Sequence, residues 1–345
     1  MNTHTVLFYA SILTVLTFKV DCLVDPFTGA LIAAGAGLYF GYNKITCSYY
    51  ECCDDHYIHY DLTGLDRALE RNLYGQHIAH DVVVSALRAH VRSGHSPKAL
   101  AMSFHGTPGT GKNFVTQNIV KNFYKEGAKS KYYHFFSGRL SFPLQNKVAM
   151  YQDELKDSII NSLVECPQSL FVFDEVDMMS PGILNVLVPF MEYSTAQIFH
   201  RGKRVDVETN KAIFIFLSNT GSQEIVETLH HLWQSGKKRE ETSLSDFEEL
   251  VSKGAFNENG GFHKSDTITT SLIDHYVPFL PLESEHVEKC IEAAFRERGR
   301  SPSAQQIQDV MSHVTFSPPL EIFAKSGCKR IEQKVASNLY RRSSK

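Results

Sequence analysis

The chain of 345 residues holds no Asn-x-Ser/Thr triplet, so it offers no acceptor for N-glycosylation. It has no surplus of positive charge. Its 35 Lys and Arg stand against 38 Asp and Glu, a net charge of −3, which gives no electrostatic footing for nucleic acid. Its 16 histidines fall into no metal-ligand spacing, and neither do its seven cysteines. No internal repeat and no low-complexity stretch occur, which sets aside repeat architectures. The last five residues, Arg-Arg-Ser-Ser-Lys, are not a KDEL-type retention signal. Apolar residues are plentiful: at 43% they suffice for a core, and the length accommodates one large domain and a small one.

The N-terminal part is apolar and almost uncharged. Val6 to Phe18 has the length of a signal-peptide core, with Val20 and Cys22 as residues before a cleavage site, so residues 1–22 are expected to be a signal peptide; an uncleaved anchor is the alternative. A second run, Pro26 to Asn43, is rich in Gly and Ala and slightly short of the roughly 20 residues that span a bilayer. Gly37 and Gly41 make a GxxxG spacing that Ala33 extends, allowing close backbone approach. We read residues 26–43 as a hairpin or helix in one leaflet, a peripheral membrane contact; a spanning helix and a buried helix stay open. Once Cys22 leaves with the signal, six cysteines remain, an even number, and the Cys47, Cys52 and Cys53 cluster reads as disulfide-forming. Residues 23–60 form this segment, 61–281 a nucleotide-binding domain, and 282–345 a small helical domain.

The stretch that organises the globular part is Gly106-Thr107-Pro108-Gly109-Thr110-Gly111-Lys112-Asn113. It fits the phosphate-loop pattern G-x-x-x-x-G-K-[ST] except that Asn113 replaces the hydroxyl residue. Glycines let backbone N–H groups turn toward a phosphate, the following helix adds partial positive charge at its start, and Lys112 reaches the β- and γ-phosphates. The plain alternative is a Gly-rich turn, which a lysine between a buried strand and an amphipathic helix argues against. Asn113 stands where a hydroxyl ligates Mg²⁺; a carboxamide oxygen can do the same from a longer side chain.

Strand candidates are Leu100–His105, Lys131–Phe136, Leu170–Asp174, Ala212–Ser218 and Tyr276–Leu280. Helical stretches fall between them at Lys112–Lys125, Val148–Val164, Gly182–Tyr193 and Gln223–Gln234, with two more at Leu65–Tyr74 and Ile78–Val91. The alternation predicts an α/β fold: a doubly wound, parallel, five-stranded sheet with ligands at the strand C-termini. After Pro281 only helices follow, at Glu283–Glu297, Ala304–His313 and Gly327–Tyr340.

Leu170-Phe171-Val172-Phe173-Asp174-Glu175 is an apolar strand ending in two acids, about 60 residues after Lys112, the Walker-B arrangement. Asp174 is placed for Mg²⁺ and Glu175 for general-base activation of water. Asn219, after the strand Ile213–Ser218, is placed to orient water or to contact the γ-phosphate, the position called sensor 1. Lys329, at the start of the last helix, is the candidate sensor-2 cation.

Taken together, Gly-Thr-Gly-Lys-Asn-Phe-Val at 109–115, Phe-Asp-Glu at 173–175, Phe-Ile-Phe-Leu-Ser-Asn at 214–219, Ser-Gly-Lys-Lys-Arg-Glu at 235–240, Val-Pro-Phe-Leu-Pro-Leu at 277–282 and Gly-Cys-Lys at 327–329 resemble the torsins. The resemblance runs from about Glu51 to about Tyr340. It implies an AAA+ ATPase using ATP and Mg²⁺ in the endoplasmic reticulum lumen and perinuclear space, acting on protein or membrane assemblies. It implies an arginine finger supplied in trans by a type II membrane activator with a lumenal AAA+-like domain. It also implies that Cys290 and Cys328 form a redox pair beside Lys329; two buried free thiols are the other reading. Between Asn219 and the fifth predicted strand the chain has a single arginine, Arg239, the first suspect for a finger of its own. The chain departs from the family at Thr107-Pro108 and at Pro318-Pro319-Leu320-Glu321, where an adjacent acidic pair is reduced to Glu321. A homo-oligomer is compatible with the family.

Two other readings compete with a hydrolase. A nucleotide-controlled binding switch is favoured by Asn113 and disfavoured by Glu175, because a switch needs no positioned base. A Clp-type unfoldase wants an aromatic-Gly pore loop, which residues 137–143 do not supply.

Overall fold

In a computed structural model, the described residues are 47, 50–94, 96–264, 271–317 and 322–343. The runs at 6–18 and 26–43 and the segment 318–321 lie outside them. No described helix is long and apolar enough to cross a membrane. The chain divides into two units, Met1–Cys52 and Cys53–Lys345. Within the former, Cys47 is bonded to Cys52.

The second unit opens with helices α1 (Leu62–Asn72) and α2 (His77–Arg92). Asp61 caps α1, its carboxylate accepting from the Gly64 N–H at 2.8 Å. The alternating region follows as β1 (Leu100–His105), α3 (Lys112–Phe123), β2 (Tyr133–Ser137), α4 (Val148–Glu165) and β3 (Leu170–Asp174). It continues through α5 (Val188–Glu192), β4 (Thr195–His200), β5 (Lys203–Glu208), β6 (Ile213–Ser218), α6 (Ser222–Gln234), α7 (Glu248–Asn257) and β7 (His275–Pro278). Helices α8 (Ser284–Glu297), α9 (Ala304–Met311) and α10 (Ile331–Ser343) close the chain.

Five strands form one parallel sheet in the order β2-β3-β6-β1-β7. Strands β1 and β6 are buried at every position, as the continuous apolar runs require for parallel strands covered on both faces. The aromatic residues stack across the sheet: His134 on Phe171 on Phe214, and Phe136 on Phe173 on Phe216, with centroids 4.9–5.2 Å apart. The register sets His105 opposite Ser218 and Ser137 opposite Asp174, so the polar residues that end the apolar runs arrive together along one edge. A second apolar cluster, built from Leu282, Val287, Ile291, Phe295, Val310, Ile331 and Val335, holds α8, α9 and α10 together.

Three expectations need correction. The stretch expected as a helix over Gly182–Tyr193 is a 3-10 turn, Ile183–Leu187, followed by the short α5, which Pro189 at its first turn starts afresh. Residues 195–208, assigned to no element from the sequence, are a β4–β5 hairpin. Ala196, Ile198 and Val207 point inward at period two, and Arg201 and Gly202 both have positive φ at the turn, as a two-residue hairpin demands. The last helix starts at Ile331 rather than Gly327.

Candidate nucleotide site

The loop between β1 and α3 curls because Gly106, Gly109 and Gly111 all take positive φ. At Gly109 the reason is close approach: a Cβ there would stand 2.0 Å from the Ser326 carbonyl oxygen. The loop and the turn before α10 are therefore pressed backbone to backbone, and Cys328 N–H donates to the Gly109 carbonyl at 3.0 Å.

Lys112 folds back into the loop. Its ammonium donates to the carbonyls of Gly106 and Thr107 and to Asn219 Oδ1, the last at 3.1 Å. Those acceptors are neutral, and the side chain is half-buried. Desolvation drives its pKa from 10.5 down to about 8, while Asp177 and Asp174 hold it up and Lys329 opposes them. A partly desolvated cation hydrogen-bonded only to neutral oxygens is short of an anion. Thr107 Oγ1 in the same loop is buried with no partner. Beside it lies a cleft of about 410 Å³, walled by Leu73 and Tyr74 after α1, by Ala294 and Glu297 of α8, and by Ile331. These residues fit a nucleoside triphosphate, with Lys112 under the phosphates and the slot between α1 and α8 taking the nucleoside.

Asp174 stands at the end of β3 opposite the loop. Its Oδ1 accepts from the Glu175 N–H at 2.8 Å, and its Oδ2 from Asn113 Nδ2 at 3.2 Å. Burial pushes this carboxyl up. Asn113 and Asp174 are thus neighbours, but Asn113 presents its amide nitrogen, not the oxygen expected of a ligand. The two supply hard oxygens that suit Mg²⁺ once the amide is turned about. Glu175 takes a left-handed backbone, φ 55°. Its two carboxylate oxygens are both engaged: Oε2 accepts from Ser137 Oγ at 2.9 Å, and Oε1 pairs with Arg139 Nε at 3.1 Å.

Asn219 joins the site through Lys112, as its position after β6 predicts. Lys329 borders the cleft from the turn ahead of α10, not from a helical turn. Cys290 and Cys328 are disulfide-bonded and both line the cleft, which resolves the choice left open between a pair and free thiols. A second long-range bridge joins Cys53 to Cys166. Arg239 is not a free cation. It is buried, its guanidinium donates to the Gly75 and Pro281 carbonyls, and it pairs with Glu283 at 3.0 Å. The finger candidate is therefore a strut between the α1–α2 turn and the start of α8.

Sequence reasoning missed three residues here. Ser137 ends β2 and Arg139 lies in the turn after it, and nothing in their local pattern ties them to Glu175. Asp177 had a signal, the third acid in Asp-Glu-Val-Asp.

The parallel sheet, the loop at the end of β1 and the helical C-terminal part define an AAA+ fold. The chain is similar to the Saccharomyces cerevisiae Hsp104–ADP complex (TM-score 0.56, 17% identity) and to a closed-state reconstruction of Hsp104 with ATPγS and FITC-casein (TM-score 0.58, 16% identity). Each similarity covers 82% of this chain and 47% of the other, so the chain spans just under half the length of those proteins. Within that fold the relationship is specific. The Torsin family description matches residues 47–173, and that of the Torsin-1A C-terminal domain matches 282–337. A torsin-like protein of Drosophila melanogaster is 41% identical over 337 residues, 96% of each chain. One of Caenorhabditis elegans is 35% identical over 314 residues, 89% of this chain and 86% of that one. The chain belongs to the torsin family.

Proposed function

We propose that this torsin is an ATP hydrolase whose turnover depends on a partner. The observation that carries the reading is the convergence of Lys112, Asp174, Glu175 and Asn219 on one cleft. Lys112 meets the phosphate charge, Asn113 and Asp174 hold the magnesium ion, and Glu175 takes the proton of the attacking water. Held by Asn113 and Asp174, Mg²⁺ would supply positive charge against the charge that develops on the phosphate. Ser137 and Arg139 each hold one Glu175 oxygen, which leaves the carboxylate lone pairs to meet water but lowers its strength as a base. Arg239 is buried and already holds Gly75, Pro281 and Glu283, which supports a finger from a type II membrane activator with a lumenal AAA+-like domain. The compartment that goes with this reading is the endoplasmic reticulum lumen and perinuclear space, with residues 26–43 as a peripheral membrane contact and a homo-oligomer as the other assembly to test. The work done would be remodelling of protein or membrane assemblies.

A second reading, an ATP-controlled binding switch, is favoured by the occupation of both Glu175 oxygens. ATP turnover measured with and without a candidate activator's lumenal domain separates the two. Hydrolysis that appears only with the partner is the expected result. ATP bound in both cases and hydrolysed in neither supports the switch. Glu175→Gln is expected to retain ATP and hold the partner complex together; ordinary hydrolysis by that variant removes Glu175 from the base role.

A further inference from the structure

Asn219 is held by a residue outside the recognised motifs. Its backbone N–H donates to Asp177 Oδ1 at 3.1 Å, and its side-chain Nδ2 donates to Asp177 Oδ2 at 3.2 Å. An ionised carboxylate only accepts hydrogen bonds, so it selects the nitrogen end of the amide. That leaves Oδ1 to face the loop, where it accepts from Lys112 Nζ at 3.1 Å.

Asp177 is itself pinned. It is the middle residue of the 3-10 turn Val176–Met178. Gly260 packs against it so closely that a Cβ there would stand 2.9 Å from the Asp177 Cα. Gly261 N–H donates to the Val176 carbonyl at 2.9 Å. Ser218 Oγ lies 3.5 Å from Asp177 Oδ1, at the limit of a hydrogen bond. The carboxylate therefore joins the end of β3 to the end of β6.

We propose that Asp177 is a positioning residue that fixes the Asn219 amide with its oxygen toward Lys112 and the space above the loop. The consequence is chemical. An amide so fixed offers an acceptor there, and an acceptor repels phosphate oxygens. Asn219 then steadies the Lys112 ammonium and a water molecule rather than donating to the γ-phosphate. This decides between the two roles that its position after β6 left open.

The inference rests on the hydrolytic reading of the cleft, and its test includes a measurement that does not need turnover. In the nucleotide-free full chain, labelled with ¹⁵N on asparagine side chains, the Asn219 NH₂ signal is assigned by its loss in Asn219→Asp. Asp177→Ala is expected to speed its solvent exchange at least tenfold while other asparagine signals stay in place. An unchanged rate overturns the proposal. In turnover, Asp177→Asn lets the amide face either way and is expected to lower kcat about 100-fold with KM for ATP moved less than about threefold. The swap Asp177→Asn with Asn219→Asp restores the pair: Asn at 177 accepts from the 219 backbone N–H and donates to the new carboxylate, whose other oxygen again faces Lys112. It is expected to recover most of the loss. A parallel fall in kcat and affinity with no recovery in the swap marks Asp177 as merely structural and overturns the proposal. If the wild type hydrolyses no ATP, alone or with any partner tried, the hydrolytic reading falls, and the exchange measurement still decides whether Asp177 holds Asn219.

Discussion

Lys112 carries its charge in a largely desolvated loop, and that gives ATP binding a pH dependence. Burial lowers its free-state pKa to about 8. A phosphate on the loop stabilises the ammonium and raises the pKa again, so the complex binds the proton more tightly than the free protein does. Affinity is therefore complete below pH 8 and falls as pH rises through it, by up to about tenfold per unit. Titration calorimetry on Glu175→Gln between pH 7 and 9.5 reads this directly; a flat profile would mean that Lys112 does not meet the phosphate. At this scale the sequence was legible where a spacing rule exists. The loop, the Asp-Glu pair and the strand-end asparagine all follow from period and order. Arg239 was misjudged because a lone arginine in a polar run looks solvated, and only the fold brings Gly75, Pro281 and Glu283 around it.

Between elements, the ends of β1 and β6 are joined by His105. The side chain is fully buried, with Nε2 at 2.6 Å from Ser103 Oγ and Nδ1 at 3.0 Å from the Thr220 carbonyl. Desolvation lowers its pKa from 6.5 to about 4, although the Thr220 carbonyl opposes the shift. The unfolded chain thus takes up a proton that the folded one refuses. The contribution to stability is complete above pH 6.5 and is lost as pH falls toward 4. Between pH 7 and 4.5 the loss is about 2–3 kcal/mol. Urea unfolding of wild type and His105→Gln at the two pH values isolates it, because His286, pushed down to about 3, titrates alike in both proteins. Equal pH slopes would mean that His105 ionises freely in the folded state. The elements themselves were mostly readable, since parallel strands buried on both faces are continuous apolar runs. The β4–β5 hairpin carried a period-two signal, Ala196-x-Ile198 and Val205-x-Val207, but it is half-exposed and adds no strand to the main sheet. An eye set for alternating βα units passes over it.

Across the described residues, the large sheet and the small helical cluster are tied by Arg239 and by the Cys328 N–H bond to the Gly109 carbonyl, the Cys290–Cys328 bridge braces the small cluster itself, and Cys53–Cys166 staples the large unit. Arg239→Ala leaves Glu283 and two carbonyls without their donor and is expected to cost about 3–5 kcal/mol in unfolding. Unchanged stability with lost partner-stimulated turnover would restore Arg239 as a finger. The bridges were only half legible. An even cysteine count after the signal predicts pairing, yet Cys53 and Cys166 are 113 residues apart and no local pattern links them. That separation is what makes the bridge consequential. The closed loop contains α1, α2, β1, α3, β2 and α4, and therefore the whole phosphate loop. Cross-linking a loop of this length restricts the unfolded chain by about 4–5 kcal/mol on the chain-entropy account. Replacing both cysteines by serine is expected to lower the unfolding free energy by about 2–5 kcal/mol, read as a shift of the denaturant midpoint. ATP affinity should stay within about twofold, because neither residue borders the cleft. A loss of affinity at full occupancy of the folded state would show that the bridge shapes the site rather than merely shortening the unfolded chain.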